Sequence, residues 1–578
     1  MWEGQIGNFN KIEYLEFIDN FSAEYNISPA LKVLGNISLT KRTTEANKFA
    51  SPLSNAFYDK TGNDLKDRGQ YNFDAMNETQ MDGNLTLNYN KTLGKSNFNV
   101  ALGSSMQMRK SDRKSIEAIG FTNDRFTGIN FARKYADKAP GGDKTEERLA
   151  GWFGTLNYSY QNRFLMDATL RTDGSSKFGS ESRMATFWSY GLGWNLHNEE
   201  FLRNTFVSQL KLRATTGLTG DVNFPAYLSN TTYSYYTGDW YSTGVGAVFT
   251  AYGNSSLKWQ RTNNYDLGAE IGLFKDRVYF SPRYYYKHTK DLLADVNTPP
   301  STGFNSYKEN MGEMVNEGWE VNLRANVIRK RNFSVNLNGS FTHNRNEITK
   351  ISDALKAYND EVDKQQNEKD ELRSVPLLRY KEGESVYTYY AVRSLGIDPE
   401  NGREVFLTLD GKRTYEYDVR NTVAVGNSTP FMDGYFGGNV VWGNFMLEVS
   451  FYTKFGGDYY NQTLLDRVEN ANPWFNVDSR AMSQRWKKPG DVTFYKDIAN
   501  RDETRTTSRF IQDENRVELK SVYLSYDAPQ SFYSRLKVKS LRCSITMNDL
   551  AYWSSIKAER GIDYPFARNF TFALSTRF

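Results

Sequence analysis

Cysteine is nearly absent, with one residue, Cys543, in a chain of 578. That count excludes a disulfide framework and a multi-cysteine metal site within the chain. Histidine is almost as scarce. His197, His288 and His343 lie far apart and none sits in a HExxH-type spacing, so each reads as a structural or surface residue rather than a ligand. No metal or other cofactor is expected. Long apolar runs are missing too, and nothing approaches the ~18 uninterrupted residues of a membrane-spanning helix. The formal charge is only +4, too small for a chain of this size to hold nucleic acid through bulk electrostatics. The opening Met1-Trp-Glu-Gly-Gln-Ile-Gly has neither a basic nor an apolar signal region, so no secretion signal is expected there. A G-x-S-x-G elbow, a phosphate loop, a dinucleotide fingerprint and a carboxylate pair placed for acid–base work are also lacking, and catalysis is not expected.

What the chain does have is aromatic side chains, 15% of all residues, a load that excludes a disordered polypeptide. It also has alternation. Leu31, Val33, Gly35, Ile37 and Leu39 interleave with Lys32, Asn36, Ser38 and Thr40. The same pattern places Phe98, Val100 and Leu102 on one face, and likewise Phe164, Met166, Ala168 and Leu170, and Leu210, Leu212 and Ala214. Late in the chain Phe445, Leu447, Val449 and Phe451 oppose Met446, Glu448, Ser450 and Tyr452, and Leu541, Cys543, Ile545 and Met547 oppose Arg542, Ser544, Thr546 and Asn548. Successive side chains of an extended chain point to opposite faces, so each segment predicts a strand with one greasy and one wet face.

A soluble sandwich also alternates, but it seldom does so over hundreds of residues without a domain break. The segments here reach or exceed the ~9–11 residues of a tilted membrane strand, and they come in pairs. One gap in each pair is short, as at Tyr89–Asn97, Tyr160–Arg163, Leu273–Arg277 and Ile328–Asn332. The other is long, and 45–75, 113–144, 218–255, 351–384 and 456–513 read as extended loops, with 351–384 partly helical. Short turns on one side and long loops on the other mark an outer-membrane barrel. The expected fold is therefore all-β, an antiparallel transmembrane β-barrel with long extracellular loops and about 16–18 strands in this chain. The aromatic clusters Tyr284-Tyr285-Tyr286 and Tyr459-Tyr460 are predicted near strand ends, where amphipathic rings suit the membrane interface.

Several phrases resemble the SusC/RagA-like, TonB-linked outer-membrane transporters. The most specific is Asn310-Met-Gly-Glu-Met-Val-Asn-Glu-Gly-Trp-Glu320, which matches that family's N-x-G-x-x-x-N-x-G-x-E strand through Asn310, Gly312, Asn316, Gly318 and Glu320. Around it, in the family's order, stand Arg171-Thr-Asp-Gly-Ser-Ser-Lys-Phe178, Leu257-Lys-Trp259, Gly396-Ile-Asp-Pro399 with Gly402, and Gly561-Ile-Asp563 with Pro565. Gln260 replaces the usual acidic residue after Lys-Trp, and Tyr564 intervenes before Pro565. The last residues, with Phe570, Phe572, Leu574 and Phe578 on one face, resemble the signal read by the barrel assembly machinery.

The resemblance implies that residues 1–578 are the C-terminal part of a TonB-dependent-receptor barrel of about 22 strands, with the signal peptide, TonB box and plug absent from this chain. It implies a place in the cell outer membrane as a multi-pass protein in contact with outer-membrane lipid. The implied function is import of nutrient oligomers, glycans or peptides, with a SusD-like lipoprotein as lid and with the TonB-ExbB-ExbD complex acting through the missing plug. A surface binding or structural barrel that passes nothing is the alternative. Candidate substrate or lid contacts fall on the long loops: Tyr233, Tyr235, Tyr236, Trp240 and Tyr241 in 218–255, and Trp474 and Phe475 in 456–513. Their faces and hydroxyls suit stacking on sugar rings or packing on peptide side chains, against the plainer reading of loop-to-loop or loop-to-lid packing. Asp173 and Asp398 are expected to cap turns through their own backbone rather than to do chemistry.

Overall fold

The computed structural model describes residues 6–136, 140–179, 181–222, 224–297, 306–310, 312–369, 372–472, 474, 477–533, 538–557 and 568–577. Two compact units divide the chain. The first takes in Met1–Tyr160, Met166–Tyr190 and Gly220–Trp259, and the second takes in Gln161–Leu165, Gly191–Thr219 and Gln260–Phe578. The first unit holds β1 (Phe9–Ser28), β2 (Leu31–Ala50), β3 (Gln70–Leu93), β4 (Ser96–Ile119) and β5 (Gly141–Tyr160). Strands β6 (Phe164–Ser175), β7 (Met184–Asn195) and β8 (Val207–Asp221) have residues in both. The second holds β9 (Gln260–Leu273), β10 (Val278–Lys290), β11 (Glu313–Lys330), β12 (Phe333–Lys350), β13 (Met432–Trp442), β14 (Phe445–Phe455), β15 (Arg516–Asp527), β16 (Ser540–Ser554) and β17 (Asn569–Arg577).

Within the first unit β1 through β5 pair antiparallel in chain order. Within the second, β9 through β17 do the same. Chain-order pairing follows from the turns, because residues 94–95, 331–332 and 443–444 are gaps of two, and a two-residue hairpin returns a strand beside its predecessor.

The register shows why the alternation matters. Across seven neighbouring strands of the second unit, Phe572, Ile545, Leu524, Leu447, Val440, Val335 and Ile328 stand directly opposite one another in turn. One residue along, or two on β11 where a bulge falls between Asn326 and Ile328, the row reads Thr571, Thr546, Tyr523, Glu448, Asn439, Asn336 and Asn326. A shift of one position thus exchanges a wholly apolar row for a polar one, which pins every strand to its register. Large apolar side chains on the greasy face stay exposed, Phe572 at 68%.

Two sequence expectations are corrected here. The loops predicted at 45–75 and 113–144 are shorter, because β2 runs to Ala50, β3 starts at Gln70, β4 continues to Ile119 and β5 starts at Gly141. The backbone ladder continues through these stretches, and cross-strand ion pairs line one face of it there and just beyond. Arg113 Nη2 lies 2.7 Å from Asp74 Oδ1, and Arg109 Nη2 lies 2.7 Å from Glu78 Oε1. The aromatic clusters also move: Tyr284, Tyr285 and Tyr286 lie in the middle of β10, and Tyr459 and Tyr460 belong to the short strand Asp458–Tyr460, outside the long ladder.

The expected helical stretch in 351–384 is present as α1 (Asp353–Glu368), whose N-terminus is capped by Ser352 Oγ accepting from the Leu355 amide at 3.3 Å. The loop that contains it runs on to 431 and carries two small sheets, Thr388–Val392 paired with Thr422–Asn427, and Ser394–Ile397 with Glu404–Leu407 and Arg413–Thr414. The 456–515 loop adds Asp458–Tyr460 paired with Ile511–Asp513. These two loops enclose a core of Tyr460, Leu464, Leu465, Val468, Ala481, Tyr495 and Phe510.

Candidate functional site

The family-like strand forms a scaffold. Asn316, Gly318 and Glu320 sit two apart on β11 and share its polar face. Asn316 Oδ1 accepts from Asn346 Nδ2 at 2.9 Å, and Asn346 Oδ1 accepts from the Val386 amide at 2.9 Å and from Ser385 Oγ at 3.1 Å. The wall is thereby tied to the 351–431 loop. At Gly318 a Cβ would lie 2.0 Å from the His343 carbonyl oxygen and 2.7 Å from the Tyr285 hydroxyl, so only glycine fits. Glu320 accepts from Arg283 Nη1 at 3.1 Å, and Arg283 Nε reaches Asp266 at 2.7 Å. Asn310 Nδ2 donates to the Asp291 carbonyl at 2.8 Å, and Gly312 has φ +91°.

The other phrases are structural too. Asp173 accepts from Arg171 Nε at 2.7 Å, which corrects the expectation that it caps its own turn. Phe178 packs on Trp259 and Phe224, with centroids 4.6 and 5.1 Å apart. Asp398 does cap its turn, accepting from the Glu400 amide at 2.9 Å. A hydrogen bond from the Tyr415 hydroxyl holds its carboxyl below the usual range.

The aromatic contacts named from sequence fall in separate units. Tyr233, Tyr235 and Tyr241 lie in the hairpin Thr232–Tyr241/Gly244–Ala251 of the first unit, all well exposed. Tyr236 pairs with Gly246 and Trp240 with Val245 along the backbone of that hairpin, and their side chains lie outside the description. Trp474 lies in the second unit and is 85% exposed. Phe475, Phe578, Gly561, Ile562, Asp563, Tyr564 and Pro565 lie outside the described residues. Phe570, Phe572 and Leu574 form the exposed apolar face of β17.

Sequence reasoning missed the polar interior of the 351–515 loops. Arg509 Nη2 lies 2.9 Å from Glu404 Oε2 and 2.8 Å from Glu469 Oε1. Burial would lower this guanidinium, but the two carboxylates outweigh it and keep it charged well above the usual range. Arg485 donates to the Ala481 and Glu469 carbonyls at 2.5 Å each. Burial lowers Lys496, and it pushes Tyr417 up to about 12. Two cavities open beside this interior. One of about 740 Å³ is lined by Trp474, Glu469, Lys496 and Arg501, and one of about 480 Å³ by Tyr415, Tyr417, Arg403 and Lys496. These residues are scattered over more than a hundred positions, and no local spacing announces them.

An antiparallel wall with one apolar face, short turns at one end and elaborated loops at the other defines a transmembrane β-barrel. Residues 7–451 match the family described as TonB dependent receptor-like, beta-barrel, and the chain belongs to that family of outer-membrane transporters rather than to any enzyme family. It is 27% identical to TonB-dependent receptor P3 of Formosa agariphila over 97% of this chain and 58% of that protein. It is 30% identical to TonB-dependent receptor SusC of Bacteroides thetaiotaomicron over 69% of this chain and 40% of SusC. The chain thus spans about half the length of the curated relatives it matches. In fold it is similar to the RagAB peptide importer in its open-open state, with a TM-score of 0.82, 20% identity, and coverage of 99% of this chain and 62% of that one.

Proposed function

We propose that residues 1–578 form the C-terminal part of the barrel of a TonB-dependent importer of nutrient oligomers in the cell outer membrane. The plug and the segment that engages the TonB-ExbB-ExbD complex lie outside these residues in the proposed receptor, and a SusD-like lipoprotein closes the outer side. The similarity to SusC and to the RagAB peptide importer supports glycans or peptides as cargo. The observation that carries the reading is the folded, cavity-bearing module built by 351–431 and 456–515, with Trp474 exposed at one cavity and Tyr415 at the other. A barrel that served only as a wall would need no such interior on its loops.

Sequencing the DNA directly upstream of the Met1 codon tests the assignment. An in-frame plug and TonB box, with a SusD-like gene nearby, is the expected result. Uptake of labelled maltooligosaccharides and oligopeptides by cells with and without the gene then tests transport. Equal uptake of both cargo classes in the two strains would leave a binding or structural barrel.

A further inference from the structure

Five ionisable side chains are buried together in the 351–515 loops. Glu404 and Glu469 both pair with Arg509. Arg485, 4% exposed, donates only to backbone carbonyls, those of Ala481, Val468, Glu469 and Lys496. Lys496, 6% exposed, donates only to the Asp502 carbonyl among the described residues. The half-buried Asp497 beside them accepts from the Ala499 amide and joins no ion pair among the described residues. Among the described residues, three buried cations therefore face two buried carboxylates, with Asp497 at the edge of the cluster acting on Arg485.

An ammonium has three donors, so Lys496 keeps two unused. Glu469 Oε2, also buried, accepts no hydrogen bond among the described residues. Buried polar atoms are rarely left this way, since each uncompensated group carries a desolvation penalty. Both residues line the same cavity of about 740 Å³, which also has Arg501 and the exposed Trp474 in its wall.

We propose that this cavity is a subsite for a carboxylate carried by the cargo oligomer. The carboxylate takes the spare donors of Lys496, with Arg501 in the same cavity wall. The ring of Trp474 offers a face for the attached sugar or side chain. Glu503, exposed and lining the same cavity, repels an approaching anion and so weakens the subsite. The inference rests on reading these loops as a cargo-contact surface.

The test is calorimetric titration of the receptor, purified from outer membranes in detergent, with tri-galacturonic acid, N-acetyl-tri-alanine and the neutral maltotriose. Binding of either acidic probe supports the subsite, and which one binds assigns the carboxylate to a uronide or a peptide. Lys496→Gln should weaken that probe about ten- to a hundredfold, the worth of a hydrogen bond to a charged group, while Lys496→Arg should stay close to the native affinity. Glu503→Gln, at an exposed position, should strengthen it about two- to fivefold at low salt. Maltotriose binding as tightly as the acids, no binding of either acid, or unchanged affinity in Lys496→Gln would overturn the proposal. The measurement needs no energised uptake. A receptor that binds the acid but imports nothing overturns the transport reading alone, and one that imports neutral oligomers without binding the acids overturns the subsite alone.

Discussion

The wall and the loops of the second unit solve burial in opposite ways. On the wall, Phe572, Leu447 and Leu337 point away from the sheet and stay exposed. In the loops, Leu465 and Phe510 are fully buried, and even Arg379 is 1% exposed, with Nη2 bonded to Asp363 at 2.6 Å and to Gln366 at 2.7 Å. One chain thus carries two hydrophobic logics because it meets two solvents. In lipid an outward Leu is already in its preferred medium, while in water it must be folded away.

The largest test of that contrast is Arg509→Leu. It leaves Glu404 and Glu469 buried without their shared cation, which should cost the loops about 3–5 kcal/mol. Limited proteolysis should then cut within 351–515, while the wall keeps its heat-modifiable mobility on gels; loss of both together would mean that the two regions fold as one. The reciprocal change is Leu337→Arg, a charge on the greasy face of β12. It should destabilise the wall, by up to about 2–4 kcal/mol for a lipid-facing Arg, read from the denaturant midpoint in lipid vesicles, and should leave the loop cleavage pattern intact.

Alkali separates the regions by titration. Burial pushes Tyr390 and Tyr417 up to about 12 from the ordinary 10.0. Unfolded phenols ionise first, so the stability these two contribute is whole below about pH 10 and is lost as pH rises toward about 12. The difference in absorbance at 295 nm between the native receptor and a Tyr390→Phe, Tyr417→Phe variant should grow in step with loop cleavage across that window, and cleavage with the same pH midpoint in the variant would refute the link. The smallest effect expected is Lys412→Ala. The Lys412–Asp410 pair at 2.7 Å is well exposed, and water and salt screen such pairs, so no measurable change in Tm should follow.

The wall was legible because its information is local. Each strand states its own two faces every second residue, and the Asn316-x-Gly318-x-Glu320 spacing carries a period of two in plain view. The loop interior was not, because its partners are remote: Arg509 meets Glu404 from 105 residues away. Strand limits were missed for a related reason. On β3 the outward row turns polar at Thr79 and Asn77 before Phe73 and Tyr71 resume it, while ion pairs line the other face, and the interrupted period reads as a loop.

That same overlength has a mechanical consequence. Strands β3 and β4 are 24 residues each, about 80 Å at the usual rise per residue, against a hydrocarbon layer of ~30 Å. Their apolar side chains, such as Leu85, Leu87 and Leu102, lie toward the two-residue turn, and their ion pairs lie toward the other end. The backbone ladder runs without a break through both zones. The outer part of this pair therefore stands clear of the hydrocarbon as a rigid continuation of the same sheet, and the long loops are mounted on it beyond the membrane surface.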